Sequence, residues 1–205
     1  MRPFYEALRD RLLGYFEARN LTHNPKLVAV TGSSKGSGAT TLAMGLAASL
    51  SETGDGNVLL VDMNQEHGAS QHFHKGRPNC GLDDVLENET RQTALVQENL
   101  YVVNANSNGD HLPRILPKRF ASLVPKFKAS DFDYIIFDMP PISQTSITLR
   151  LAGFMDTVLL VVESEKTSRD AVLQAGALLS EAKANVNVVL NKTRAYIPAR
   201  LHQEI

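Results

Sequence analysis

The chain has 205 residues, 43% of them hydrophobic and 21% charged, with a formal net charge of −1. That is ordinary globular usage, enough for one domain with a sizeable core, and it excludes an extensively disordered chain. The near-neutral balance excludes a global electrostatic pull toward nucleic acid, the single cysteine (Cys80) excludes an internal disulfide, and no run approaches the ~18 apolar residues that span a bilayer.

Met1 to Glu6 lack the apolar core of a signal peptide, and the lone thiol fits a reducing compartment, so a soluble cytoplasmic chain is expected. The opening stretch, residues 4–19, is predicted to be an amphipathic helix that packs Phe4, Leu8, Leu12 and Tyr15 on a sheet. Apolar strands are predicted at 27–31, 57–62, 100–103, 134–138, 157–162 and 186–191. Helical patterns are predicted between them, near 40–52, 82–88, 115–128, 145–153 and 168–183. Continuous Val/Ile/Leu runs alternating with helices imply an α/β fold, a mostly parallel sheet with helices on both faces. The organisation expected is a single domain over 1–205, with an N-terminal helix and linker (1–24), a core (25–193) and a short tail (194–205).

Between the first strand and the second helix runs Thr31-Gly32-Ser33-Ser34-Lys35-Gly36-Ser37-Gly38-Ala39-Thr40-Thr41. Strand, glycine-rich loop and helix come in the order of a phosphate-binding P-loop. The glycines let successive N–H groups converge, and the helix adds its positive N-terminal end, so an anion cradle can be built from backbone alone. The usual lysine after the last glycine is replaced by Ala39, while Thr40 stands where a magnesium-binding hydroxyl belongs. A hydrogen bond to a charged group is worth ~1.5–3 kcal/mol net, so the loss should weaken nucleotide binding by about one to two decades. Phosphoryl transfer should lose about 10²–10³ in rate or more. Lys35 in the same loop can substitute in part, or it can sit in solvent. The plainer reading is a Gly/Ser connector that binds nothing.

In doubly wound sheets ligands gather at the carboxyl ends of the strands. Asp138 ends an apolar strand before Met139-Pro140-Pro141, as a carboxylate that holds magnesium through water does, or as a turn cap does. Asp62 ends the strand after the loop's helix and can orient water or magnesium, or simply cap a turn. Asn191 can offer both donor and acceptor to a purine edge, or end its strand in a turn.

Together these pieces resemble the bacterial tyrosine kinase family, the cytoplasmic P-loop domain of polysaccharide co-polymerases. The resemblance runs from about Phe4 to Pro198. Its most specific parts are Gly81-Leu82-Asp83-Asp84-Val85-Leu86 and Asp138-Met139-Pro140-Pro141; the loop alone would also suit chromosome-partitioning ATPases. The resemblance implies a P-loop NTPase fold with a deviant first motif, ATP or ADP with magnesium, and work in capsule or exopolysaccharide assembly and export. It implies nucleotide contacts at Gly32, Ser33, Ser34, Lys35, Gly36, Ser37, Gly38, Ala39, Thr40, Thr41 and Asn191, magnesium at Thr40 and Asp138, and catalytic roles for Asp62 and Asp138, with Lys35 as the substitute cation.

The chain departs from the family pattern at its catalytic points. Ala39 replaces the lysine, Asn64 and Glu66 replace the second aspartate and the arginine of the Asp-x-Asp-x-Arg motif, and the tail holds only Tyr196. The expectation is a pseudokinase-like regulatory domain with weak or no catalysis. The alternatives are an active kinase or weak ATPase that uses Lys35, and a partitioning-type ATPase switch. The implied partner is a membrane polysaccharide co-polymerase or export component, met at the inner face of the membrane directly or through a missing membrane segment. Glu6-Ala7-Leu8-Arg9-Asp10-Arg11 partly matches the family's Glu-x-x-Arg-x-x-Arg oligomerisation element, with Leu12 in place of the last arginine, so a homo-oligomer through this helix competes with simple packing.

Glu66, His67, His72, His74 and Cys80 are potential metal ligands, but their spacing fits no compact zinc module, and no zinc is expected. Arg114, Lys118, Arg119, Lys126 and Lys128 form a basic stretch without interleaved aromatics, read as a solvated helix face rather than a nucleic-acid site.

Overall fold

The computed structural model describes residues 2–54, 56–64, 69, 81–86, 91–105, 117–143 and 147–193. In chain order the elements are α1 (Arg2–Ala18), β1 (Lys26–Gly32), α2 (Ala39–Ser51), β2 (Asn57–Asp62), α3 (Leu82–Leu86), α4 (Arg91–Ala94), β3 (Leu95–Gln97), β4 (Leu100–Asn104), α5 (Pro117–Ala129), β5 (Phe132–Asp138), α6 (Ile147–Ala152), β6 (Thr157–Glu163), α7 (Arg169–Glu181) and β7 (Val186–Asn191). The strands form one seven-stranded sheet in the order β3-β4-β2-β5-β1-β6-β7. Every pairing is parallel except the antiparallel β3–β4 edge.

The sheet is covered on both faces, as its continuous apolar strands require. Alternation along β1 sends Val28 and Val30 to one face, where they join Leu42, Leu46 and Leu50 of α2 and Leu12 and Phe16 of α1. Leu27 and Ala29 join Phe120 and Phe127 of α5 and Leu179 of α7 on the other. Phe137 of β5 anchors that second layer, 5.5 Å from the Phe120 ring and 6.0 Å from Phe127. Helix α7 starts at a capping serine, whose Oγ accepts the Ala171 N–H at 3.2 Å. Helix α5 opens with Pro117, whose fixed φ suits a first helical position.

Within the described residues the expected strands and main helices are present, with ends shifted by one or two residues, and the expected helix ends at 87–88, 115–116 and 145–146 lie outside the described residues. The added strand is β3, which closes the edge as a short hairpin with the expected β4. Its turn places Asn99 at φ 60, and its three strand residues include too few apolar positions to register as a strand from pattern alone. The contact face of α1 also differs from expectation. Leu12 and Phe16 are buried, whereas Phe4 is 44% exposed. The Arg9 guanidinium bonds the Asp10 carboxylate at 2.8 Å and reaches the Ser49 carbonyl at 3.4 Å, tying α1 to the end of α2. Among the described residues no helix is long and apolar enough to cross a membrane.

Leu12, at the place of the family's last arginine, is 4% exposed. Restoring that arginine removes a buried leucine and forces a charge against the core. Leu12→Arg should therefore lose about 2 kcal/mol or more in urea unfolding. Phe4→Ala should stay within about 0.5 kcal/mol.

Candidate functional site

The phosphate-binding loop spans the carboxyl end of β1 and the start of α2. Gly36 (φ 82) and Gly38 (φ 94) take left-handed conformations that admit the sharp turn. Gly38 is the N-cap of α2 and makes no side-chain cap hydrogen bond. The first-turn N–H groups of α2 have no acceptor one turn back, so this end presents donors to an anion, reinforced by the helix dipole. A Cβ on Gly38 would lie 2.3 Å from Asn191 Nδ2, so a side chain there collides with the neighbouring strand end. The loop is fastened at its other end by the Ser33 N–H, bonded to the Val161 carbonyl at 3.0 Å, and by Ser37 N–H to the Ser34 carbonyl at 3.3 Å.

Within this cradle Ala39 is 9% exposed and belongs to the α2 side of the core. Lys35 is exposed at the loop's outer bend, and Ser37 is 1% exposed beneath it. The Ser33 Oγ is buried without a hydrogen bond.

Thr40 joins the loop to the carboxylates. Its Oγ1 donates to Asp138 Oδ1 at 3.2 Å, and it accepts from Asn64 Nδ2 at 3.4 Å. Parallel pairing of β2 with β5 places Asp62 level with Asp138, and both are buried, at 2% and 0% exposure. Asp62 Oδ1 accepts the Asn64 N–H at 2.9 Å, an Asx-turn that turns the chain out of β2. The Asp138-Met139-Pro140-Pro141 turn is fastened to β1. Met139 N–H bonds the Val30 carbonyl at 2.9 Å, and the Thr31 and Thr148 hydroxyls both donate to the Pro140 carbonyl, at 2.9 and 2.8 Å.

Burial, and next the nearby Asp62 carboxylate, push Asp138 up to about 8; the Thr40 hydroxyl and the Ala69 amide oppose the shift. Asp138 Oδ2 is buried without a hydrogen bond at ordinary distance. A buried carboxylate with an unsatisfied oxygen, next to a hydroxyl and a backbone anion cradle, suits a divalent cation carried in with a phosphate.

At the far side of the loop Asn191 Nδ2 donates to the Ser37 carbonyl at 2.9 Å, and its Oδ1 accepts the Lys192 N–H at 2.9 Å. Lys192 also reaches the loop, at the Gly36 carbonyl, and Glu163 holds Lys192; sequence reasoning left both out. The signal available was position: each stands at or just past the carboxyl end of a parallel strand, where ligands collect. Glu66, His67, His72, His74, Cys80, Arg114 and Tyr196 lie outside the described residues.

The raised affinity of Asp138 for its proton sets a pH dependence. Between the ordinary aspartate value of 3.8 and about 8, the folded chain holds a proton that the unfolded chain has released. Stability should therefore fall as pH rises through that window, by up to about 1.4 kcal/mol per unit, and level off above it. Asp138→Asn should flatten the slope between pH 5 and 8 in urea unfolding of the ligand-free protein.

A family model described as an AAA domain matches residues 25–192. In sequence the chain is 26% identical over 180 residues to the provisionally named tyrosine-protein kinase CapB of Staphylococcus aureus, covering 84% of this chain and 78% of CapB. It is 29% identical over 194 residues to the provisionally named tyrosine-protein kinase EpsB of Ralstonia solanacearum, covering 92% of this chain but only 25% of EpsB. In structure it resembles the kinase domain of Escherichia coli tyrosine kinase ETK, with a TM-score of 0.71 and 21% identity over 95% of this chain and 79% of that one. With a strand–loop–helix cradle at the carboxyl edge of a parallel sheet and this match across its core, the chain belongs to the AAA-domain family of P-loop proteins, related there to bacterial tyrosine-protein kinases.

Proposed function

We propose that the chain is a P-loop domain that binds ATP or ADP with magnesium weakly and serves polysaccharide assembly or export as a regulatory or scaffolding partner, with impaired or absent kinase activity. The observation that carries this reading is the contrast at residues 38 to 40. The backbone cradle and the Thr40–Asp138 pair are in place, while Ala39 packs into the core where a phosphate-neutralising lysine belongs. Binding by backbone donors needs no cation, whereas transfer of a phosphoryl group depends on neutralising the charge that develops on it.

Bound magnesium would supply charge neutralisation to the phosphates, and Thr40 and Asp138 are the residues that would hold it. The first-turn amides of α2 would orient the phosphates, and Asp62 would add negative charge beside Asp138. Asn64, which offers an amide where the resemblance implies a carboxylate, can position the Thr40 hydroxyl but cannot act as a base. Work at the inner face of a membrane with a membrane polysaccharide co-polymerase or export component rests on the relationship to the kinases named above.

Calorimetric titration with Mg·ADP and Mg·ATP, paired with a tyrosine phosphorylation assay, tests the proposal. Wild type should bind about tenfold or more weakly than Ala39→Lys, with phosphorylation at background. Robust phosphorylation by wild type that is lost in Lys35→Ala would contradict it and establish the exposed Lys35 as the working cation.

A further inference from the structure

We propose that Lys192, held by Glu163, is a positioning residue for the phosphate loop, bracing from outside the loop a cradle that has alanine, not lysine, at position 39. This deepens the nucleotide reading above and rests on it for the identity of the ligand. The Lys192 Nζ donates to the Gly36 carbonyl at 2.6 Å and lies 3.2 Å from Glu163 Oε1. Lys166 reaches the other oxygen of Glu163 at 3.4 Å. The carboxyl is 13% exposed, and the hydrogen bond from Lys192, joined by Lys166, holds it below the usual carboxylate range. Immediately before Lys192, Asn191 Nδ2 takes the next carbonyl of the loop, that of Ser37, at 2.9 Å.

Two successive loop carbonyls are thus drawn toward the end of β7. In a trans peptide the carbonyl and the following N–H point in opposite directions. Holding the Gly36 and Ser37 carbonyls outward therefore turns the N–H groups of Ser37 and Gly38 the other way. The Ser37 N–H is taken by the Ser34 carbonyl at 3.3 Å, and the Gly38 N–H, at the N-cap of α2, is the donor turned away from the carbonyl that Asn191 holds. Lys192 thus holds the Gly36–Ser37 peptide that closes the Ser34 turn, and Asn191 holds the Ser37–Gly38 peptide that leads into α2, so the brace fixes the bend from which α2 would present its donors to a phosphate.

Backbone conformation supports the assignment independently. Lys192 itself sits at φ 57, a region that residues with a side chain occupy when their surroundings hold them there. Ser164 N–H bonds the Asn191 carbonyl at 2.9 Å, so the segments leaving β6 and β7 are joined just where Glu163 and Lys192 project. A solvated surface lysine would need neither the turn nor the carboxylate.

Amide hydrogen exchange of the ligand-free full chain, together with Mg·ADP titration, tests the brace in Lys192→Met and Lys192→Arg. Lys192→Met should speed exchange over residues 36–41, leave β5 unchanged and weaken Mg·ADP by about tenfold, and Lys192→Arg should recover to within about threefold of wild type. Unchanged exchange over 36–41, or an equal rise across the whole sheet, would overturn the assignment. If wild type binds no Mg·ADP, the nucleotide reading fails; a selective rise over 36–41 in Lys192→Met then still supports the brace.

Discussion

The hydroxyl of Thr40 is the point at which three elements of the sheet edge are joined. It stands in the first turn of α2, donates to Asp138 at the end of β5, and accepts from Asn64 beyond β2. None of these residues is near another in sequence; parallel pairing of β2 and β5, with β1 beside β5, brings them together. The position of the loop follows from that geometry. Shift β5 by one residue against β1 and the carboxylate leaves the hydroxyl, the Pro140 carbonyl leaves Thr31, and the cradle loses its floor.

The same constraint explains why a buried carboxylate is tolerated. Asp138 is fully enclosed beside another acid, an arrangement that costs stability unless the group is neutral or meets a cation. A cation carried in with a ligand would remove that cost, and the neighbouring anion cradle supplies the means of bringing one. On the proposal above, a chain with Ala39 in that place keeps a weakened device for binding and lacks one for chemistry. The proposed function follows from that separation.

Much of the fold was legible in the sequence because its strands are buried on both faces and read as unbroken apolar runs, such as Tyr134-Ile135-Ile136-Phe137 before Asp138. The loop was legible because glycine is strongly favoured at left-handed positions such as Gly36 and Gly38. The β3 edge was not, since three half-exposed residues pair through backbone groups that leave no side-chain pattern. Nor was the extent of the α1 contact face: Phe4, Leu8, Leu12 and Phe16 share one i, i+4 stripe, and docking on the sheet, where Phe16 stacks on Tyr134, buries Phe16 and leaves Phe4 44% exposed. Lys192 and Glu163 escaped for a different reason. Their partners are backbone carbonyls and each other, and a charge at a strand end looks the same in sequence whether it braces a loop or points to water.

The central claim is that a cradle of backbone amides with alanine at position 39 still receives a nucleotide. Its most direct test is an NMR titration of the wild-type chain with Mg·ADP, following the amides of Gly38, Ala39, Thr40 and Thr41. The account predicts saturable shifts confined to these amides and the neighbouring strand ends, with a dissociation constant between micromolar and millimolar. Amides that do not move at millimolar Mg·ADP, in a chain whose spectrum is otherwise folded, would contradict it.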